Sequence, residues 1–276
     1  PDSPAVLENA SMTVPWGHTV GIAGPSGAGK TTTMRMLATL IKPDSGDAMY
    51  NDISAVKTPE KVRSDLAFLT TDLKPDMKST PNIMYDFFAE LYHVPKDKAD
   101  KRKKELFEEF GINKFADTTI AKLSQGQRQK VSLVNSVIHD PKFIIFDEPT
   151  NGLDIESITW LENFLLEFEN TVIVVSHDRH FLNTVCTYIC DIDFGKITQF
   201  SGNYDFWYQM TQVMQRQAHD QQKKTEEKMK DLQSLGAGWL KALQKLLGTD
   251  SVAIIEDCNS TINTINSFKH IYDYKY

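Results

Sequence analysis

Residues 24–31 have the sequence GPSGAGKT and match in full the pattern of a phosphate-binding loop. An apolar run over 19–23 precedes this loop and a helix-like pattern over 31–40 follows it, which is the strand–loop–helix context that the pattern requires. Glycines let the backbone fold around an anion, and the N-terminus of the following helix adds positive potential. The chain is therefore expected to fold around a parallel sheet that binds a nucleotide.

Residues of this loop have distinct expected roles. Lys30 is placed to reach the outer phosphates, and the Thr31 hydroxyl is placed to bind Mg²⁺. A glycine-rich turn could match the pattern by chance, but the flanking strand and helix patterns favour the functional interpretation. The predicted nucleotide-binding residues are Gly24, Pro25, Ser26, Gly27, Ala28, Gly29, Lys30, Thr31 and Thr32.

A second apolar run, over 143–146, ends in the adjacent carboxylates Asp147 and Glu148. Successive strand residues point to opposite sides, so the two carboxylates can do different work at the end of one strand. We expect Asp147 to hold Mg²⁺ through water and Glu148 to polarise the water that attacks the terminal phosphate. An acidic pair often simply ends a buried strand. The phosphate-binding loop upstream favours a functional role for this pair.

Short β-rich runs alternate with helical patterns over the first two hundred residues, which predicts an α/β sheet with crossover helices. The expected buried strands are 19–23, 66–69, 143–146 and 171–175, followed by a hairpin of 189–193 and 196–200 near a sheet edge. No strand pattern occurs between Pro81 and Asp140, which predicts a helical insertion into the sheet domain.

The composition changes after Tyr208. Between Arg216 and Asp231 the apolar residues are Ala218 and Met229 alone, so a helix there would be polar on every side and would form an exposed arm or a linker. Leu240, Leu243, Leu246 and Leu247 predict an apolar face in a tail, which Ile254, Ile262, Ile265 and Phe268 could extend. The expected division is an α/β core of 1–74 and 140–210, a helical subdomain of 75–139, an arm of 211–235 and a helical tail of 236–276.

Charge and cysteine content narrow the function classes. Thirty basic and thirty-seven acidic residues give a net charge of −7, which argues against holding nucleic acid by bulk charge. The three cysteines, Cys186, Cys190 and Cys258, show no metal-type spacing and favour a reducing compartment. No apolar run approaches the ~20 residues needed to cross a bilayer, and no signal peptide is evident, so we expect a cytoplasmic protein without direct membrane insertion.

Three further motifs carry a family resemblance. Residues 123–127 have the sequence LSQGQ, residues 149–154 have the sequence PTNGLD, and Ser176-His177 follows the run 171–175. Together with the phosphate-binding loop and the acidic pair, they resemble the ATP-binding cassette (ABC) ATPases. The resemblance implies a P-loop NTPase core with an inserted α-helical subdomain, to which this chain adds a C-terminal helical arm and tail.

The same resemblance implies roles for individual residues and a partner. In this family the signature of one cassette closes over the ATP held by a second cassette, so Ser124, Gly126 and Gln127 would act on the partner's ATP. Asp154 would belong to a loop that communicates between the two sites, and His177 would contact the γ-phosphate. ATP and Mg²⁺ are the implied cofactors, and Glu148 and His177 are the implied catalytic residues.

The chain departs from the family pattern at three places. Thr70, Thr71 or Asp72 lies where the family usually carries a glutamine that helps to bind Mg²⁺, so no glutamine role is assigned. Trp16 lies only eight residues before Gly24, and we interpret it as a packing residue rather than an adenine-stacking one. The usual first strand is expected to be shortened or missing.

The two halves resemble different subfamilies. Residues 5–154 resemble bacterial exporter-type transporter ATPases, whereas residues 155–233 resemble the ABC-F translation factors, with DRHFL at 178–182, GNY at 202–204 and a polar arm. The leading hypothesis is an ATP-hydrolysing dimer that serves as motor subunit of a membrane transporter, docked through its helical insertion on membrane-spanning subunits at the inner face of the cell membrane. The alternatives are an ABC-F-like ATPase that binds the ribosome and an engineered or chimeric ATP-binding scaffold.

Overall fold

The computed structural model describes residue 7 and residues 10–70, 76–193 and 195–247, with side chains described through residue 231 and at 234. The chain divides into two units, Pro1–Gln209 and Met210–Tyr276. Several predictions concern residues outside the described part, namely those for Thr71, Asp72, Cys258, Ile254, Ile262, Ile265 and Phe268.

A six-stranded sheet forms the centre of the first unit. Its strands lie in the order β4, β5, β6, β1, β7, β8, and all neighbours are parallel except the antiparallel pair β7 and β8. The sheet strands are β1 (Thr19–Ala23), β4 (Leu66–Leu69), β5 (Phe143–Asp147), β6 (Thr171–Val175), β7 (Tyr188–Asp193) and β8 (Lys196–Ser201), and a separate hairpin joins β2 (Met49–Tyr50) to β3 (Ile53–Ser54). The α/β class, the four buried strands and the edge hairpin are as the sequence predicts.

Helices cover both faces of this sheet, which is why its central strands are apolar on both sides. On β5, Ile144 and Phe146 pack in one cluster of buried residues, whereas Phe143 and Ile145 pack in the other, as the two-residue period of a strand requires. The helices of this unit are α1 (Lys30–Leu37), α2 (Pro59–Arg63), α3 (Pro81–Leu91), α4 (Lys96–Glu109), α5 (Gln125–Ser136), α6 (Ile155–Glu167) and α7 (Arg179–Val185), with the first turns of α8.

Helices α3, α4 and α5 lie between β4 and β5, and no strand occurs within residues 76–142. Residues in the sequence mark where these helices begin and end. Thr80 caps α3 by accepting a hydrogen bond from the Ile83 N–H, and Pro81 occupies its first turn. Gly111 follows α4 at a φ of 64°, a backbone conformation that suits glycine and ends the helix.

The last described helix, α8, runs without interruption over Tyr204–Leu247. It continues through the position between residues 235 and 236 where the sequence predicts a boundary between arm and tail. Its residues 216–228 are exposed, as expected of a segment that is polar on every side. Within the part of the chain that the structure describes, no helix is long and apolar enough to span a membrane.

Candidate functional site

The phosphate-binding loop connects β1 to α1 at the carboxyl end of the sheet. Gly24 packs so tightly on β7 that a Cβ there would lie 2.3 Å from the carbonyl oxygen of Ile192, and its φ of 138° also suits glycine. Lys30 opens α1, and its Nζ donates to the carbonyl oxygens of Gly24 at 2.8 Å and Pro25 at 3.0 Å. The lysine therefore bridges the loop in which phosphates are predicted to bind.

Oxygen ligands suited to Mg²⁺ follow this loop and end β5. Thr31 is exposed in the first turn of α1, and Asp147 is buried at the end of β5. A hydroxyl and a carboxylate fit the preference of Mg²⁺ for oxygen. Among the described residues no three His, Cys, Asp or Glu side chains cluster closely enough to hold a metal by themselves. In nucleotide sites Mg²⁺ is usually held by one or two protein oxygens together with phosphate and water oxygens, and Thr31 and Asp147 match that number of protein ligands.

The predicted catalytic residues Glu148 and His177 lie together because β5 and β6 are adjacent parallel strands that end at the same edge. The backbone N–H of His177 donates to Glu148 Oε2 at 3.2 Å, and His177 Nε2 lies 3.4 Å from Glu148 Oε1. The Glu148 side chain is 14% exposed and the His177 side chain 81% exposed. The histidine ring thus lies on the solvent side of a half-enclosed carboxylate.

Burial raises the pKa of Glu148, while the contacts from His177 lower it. Weaker effects come from the Asp147 charge, which raises this pKa, and the Lys30 charge, which lowers it. The structure therefore brings the acidic pair, the loop lysine and the histidine into one electrostatic cluster. A carboxylate with a raised pKa is a better proton acceptor than one in water.

The signature residues form a second group at the start of α5. Ser124 is exposed and caps the helix: its Oγ accepts from the Gln127 N–H at 3.2 Å, and its own N–H donates to Gln127 Oε1 at 2.9 Å. This reciprocal pair is a capping box. Gln127 therefore engages its side chain in the helix start. Gly126 lies against the loop that follows β5, since a Cβ there would be 2.1 Å from the oxygen of Gly152.

Asp154 belongs to this second group through Lys130, a residue that the sequence interpretation does not single out. Lys130 Nζ lies 2.7 Å from Asp154 Oδ2, and Asp154 also caps α6 by accepting from the Ser157 N–H at 2.9 Å. The hydrogen bond from Lys130, followed by that from Ser157, lowers the pKa of Asp154 to about 2. The sequence holds no signal for this pair, because the two residues lie 24 positions apart in the chain.

Trp16 lies away from the phosphate-binding loop along β1. It precedes the amino end of that strand, and its ring meets the edge of Phe143, the first residue of β5, at a centroid distance of 5.6 Å. The phosphate-binding loop follows the other end of β1. This position supports packing rather than adenine stacking. Thr70, the first of the three residues at the glutamine position, is buried directly after β4.

This fold and these two groups define an ATP-binding cassette, and comparison with known proteins agrees. A family model described as ABC transporter matches residues 7–151, and a second model with the same description matches residues 190–235. The chain belongs to the ABC transporter family of ATP-binding proteins. The cassettes of this family are ATPases.

Three relatives differ in how much of the chain they match. The chain is 35% identical to the uncharacterized ABC transporter ATP-binding protein YkpA of Bacillus subtilis, over 84% of this chain and 47% of that protein. It is 32% identical to NatA of B. subtilis, an ABC transporter ATP-binding protein, over 69% of this chain and 79% of that protein. It is 30% identical to the energy-dependent translational throttle protein EttA of Escherichia coli, over 93% of this chain and 50% of that protein. The chain thus spans about half the length of YkpA and EttA.

A solved structure supports the cassette fold and its pairing in this family. A dimeric ATP-binding cassette in a post-hydrolysis state, bound to ADP and phosphate, superposes with a TM-score of 0.62 at 25% identity. The match covers 71% of this chain and 90% of that one.

Proposed function

We propose that this chain hydrolyses ATP as one of two cassettes that close on each other, and that the cycle serves a task in translation at the ribosome. The observation that carries the ribosomal role is α8, a 44-residue helix that is exposed over 216–228, a stretch whose only apolar residue is Ala218. The relative that matches 93% of the chain, and therefore extends over this helix, is named as a translational throttle.

Each cassette would bind ATP through the loop between β1 and α1, with Lys30 assigned to the outer phosphates. Thr31 and Asp147 would hold Mg²⁺, which supplies neutralisation of the charge on the transferred phosphoryl group. Glu148 accepts a proton from the attacking water, and burial suits it to that task by raising its pKa. His177, exposed beside Glu148, is assigned to the γ-phosphate.

The signature would complete the site of the partner cassette. Ser124 accepts the Gln127 N–H, so its own hydroxyl proton is still available to donate to a phosphate oxygen. The free N–H groups at the start of α5 and the helix dipole favour the same negative charge. We assign Gln127 to holding Ser124 in place, because its side-chain oxygen accepts the Ser124 N–H.

Ribosome co-sedimentation tests this role. Glu148→Gln protein with ATP should pellet with ribosomes, and Lys30→Ala protein should not, because the first retains ATP and the second loses it. A triple charge reversal on α8 should abolish pelleting, whereas a matched reversal on α4 should preserve it. The α8 variant carries Lys223→Glu, Lys224→Glu and Lys228→Glu, and the control carries Lys96→Glu, Lys98→Glu and Lys101→Glu, all at exposed positions. Absence of ATP-dependent pelleting of the Glu148→Gln protein would overturn the ribosomal role.

A second candidate role is the motor of a membrane transporter, as the name of NatA suggests. Its specific support is an exposed apolar stripe on α3, where Ile83, Phe87 and Leu91 recur every fourth residue and are 61%, 59% and 55% exposed. Such a stripe is a surface on which a protein partner can bury apolar area.

Co-purification with a membrane protein encoded beside the gene tests the transporter role. Phe87→Ser should abolish co-purification if the α3 stripe docks there, whereas Ile155→Ser, at another exposed apolar residue on α6, should leave it intact. Equal recovery with both variants would count against this surface. Absence of ATP turnover by the chain, alone and with either partner, would leave the binding scaffold as the remaining interpretation.

A further inference from the structure

The first turns of α8 hold the guanidinium of Arg179. The Arg179 Cζ atom lies 6.0 Å from the ring centroid of Tyr204 and 5.7 Å from that of Tyr208, within the range of a cation–π interaction. The two tyrosine rings are nearly parallel, with an interplanar angle of 11°. Arg179 thus faces two aligned rings one helical turn apart.

Neighbouring hydrogen bonds fix the same turns of α8 to α7. Asn183 Nδ2 donates to Asp205 Oδ2 at 2.9 Å, and the Asp205 N–H donates back to Asn183 Oδ1 at 3.1 Å. Trp207 Nε1 also donates to Asp191 Oδ2 at 3.3 Å on β7. All of these residues belong to the unit Pro1–Gln209. Arg179 therefore contacts two tyrosine rings on a helix segment that hydrogen bonds fix to α7 and β7.

Arg179 lies only two residues after His177, at the start of α7. The intervening Asp178 is fixed at both ends: its N–H donates to Ser176 Oγ at 3.1 Å, and its carboxylate accepts the Phe181 N–H at 3.1 Å. His177 itself has a side chain that is 81% exposed, so little packing around the ring determines where it lies. Its position depends on the backbone of this short segment.

We propose that Arg179 is a positioning residue for ATP hydrolysis: held on the rings of Tyr204 and Tyr208, it keeps the start of α7 in place and so holds His177 on Glu148. Arg179 does not touch the reacting atoms. It acts through the backbone of residues 177–179 and thereby joins the first turns of α8 to the catalytic pair.

Steady-state kinetics give the first test. Arg179→Ala should lower kcat about two- to fivefold, the range expected when an exposed cation–π contact is lost, and leave the KM for ATP unchanged. Arg179→Lys, which keeps the cation, should recover part of the rate. Arg179 is exposed, so the variants should fold, and Lys104→Ala on α4, also exposed, serves as the control with parental kcat. Equal kcat in Arg179→Ala and parent would overturn the proposal.

Two variants of Tyr208 test the role of its aromatic ring in this contact. Tyr208 is exposed, and Tyr208→Phe keeps the ring whereas Tyr208→Leu removes it. Tyr208→Leu should lower kcat in the same direction as Arg179→Ala, and Tyr208→Phe should stay closer to the parent. A loss that follows the hydroxyl, with Tyr208→Phe as slow as Tyr208→Leu, would contradict a role for the ring.

A double-mutant cycle separates positioning from a general structural effect. In a His177→Ala background, Arg179→Ala should cause no further loss of kcat, because the residue through which it acts is gone. If the fold losses of kcat in the two single variants multiply in the double variant, Arg179 acts independently of His177, which would overturn the proposal.

This inference rests on the proposed catalytic roles of Glu148 and His177. The positioning role of Arg179 and those catalytic roles can fail separately. Parental hydrolysis by Glu148→Gln would remove the catalytic assignment itself. A lowered kcat in Glu148→Gln and in His177→Ala, with parental kcat in Arg179→Ala, would remove the positioning role alone.

Discussion

Gly126 and Gly152 approach each other so closely that a Cβ on residue 126 would lie 2.1 Å from the carbonyl oxygen of Gly152. Gly126 is the second residue of the signature helix α5, and Gly152 lies in the loop that follows β5. From the sequence, a side chain at 126 would obstruct only a phosphate arriving from a partner cassette. The structure shows that the same side chain would first collide within its own chain.

Gly126→Ala should therefore destabilise the isolated protein. Overpacking of this kind costs about 1–3 kcal/mol of unfolding free energy, which urea denaturation can measure. Lys104→Ala, at an exposed position of α4, is the control. A loss in Gly126→Ala no larger than in Lys104→Ala would contradict the close approach to Gly152.

Ser124 offers a cleaner test of the signature. Ser124→Asp keeps an oxygen that can accept the Gln127 N–H, so the helix cap survives, but it places a negative charge where a γ-phosphate would dock. Ser124→Ala loses the cap, at about 1 kcal/mol of unfolding free energy. We expect Ser124→Asp to retain stability and ATP binding while losing turnover. Turnover by Ser124→Asp at the parental rate would contradict the phosphate contact.

The sequence predicts the strands of this fold well, because buried strands appear in it as continuous apolar runs. Residues 19–23, 143–146 and 171–175 are strands in the structure, and β5 extends one residue further to include Asp147. The helix after the phosphate-binding loop ends at Leu37 rather than residue 40, because Thr39 adopts a φ of 61°. A β-branched residue gives no sequence signal of such a turn.

The contacts that organise the site could not be predicted, since they join residues far apart in the chain. Lys130 meets Asp154, and Arg179 meets Tyr208, 24 and 29 residues away respectively. The continuity of α8 past residue 235 also has no signal in the composition. A change of composition marks a change of surroundings, whereas a helix stops only where backbone geometry or capping requires it.

Glu148→Gln should bind ATP like the parent and lose hydrolysis by about 10²–10⁴-fold, because the amide cannot accept the proton of water. It should also trap a closed dimer, which size-exclusion chromatography with ATP would detect. The pKa of Glu148 is raised, so the parental rate should fall as the pH drops, with a midpoint above the ordinary range of a glutamate. A parental rate that stays constant down to that ordinary range would contradict Glu148 as the base.

The pair of Lys130 and Asp154 should affect stability at acid pH. The pKa of Asp154 is lowered to about 2 from 3.8, so the pair stabilises the fold above the unfolded value and this contribution disappears as the pH falls through about 2. The Asp154 side chain is 57% exposed, which limits the effect to below about 1 kcal/mol. Lys130→Met should flatten the pH dependence of unfolding between these values, and Lys130→Arg should restore it. A parental profile in Lys130→Met would contradict the coupling.

Mixed dimers test whether two cassettes share each site. Lys30→Ala removes the cation assigned to the outer phosphates and should weaken ATP binding about 10- to 100-fold, the cost of a lost hydrogen bond from a charged group. A heterodimer of Lys30→Ala with Ser124→Asp protein has one site carrying both lesions and one site carrying neither. Each variant alone should be inactive, and mixing should restore part of the parental turnover. Restored turnover should rise and fall with the mixing ratio, with a maximum near equal amounts. If heterodimers form, as shown by differently tagged partners, and no activity returns at any ratio, the signature does not act on the partner's ATP.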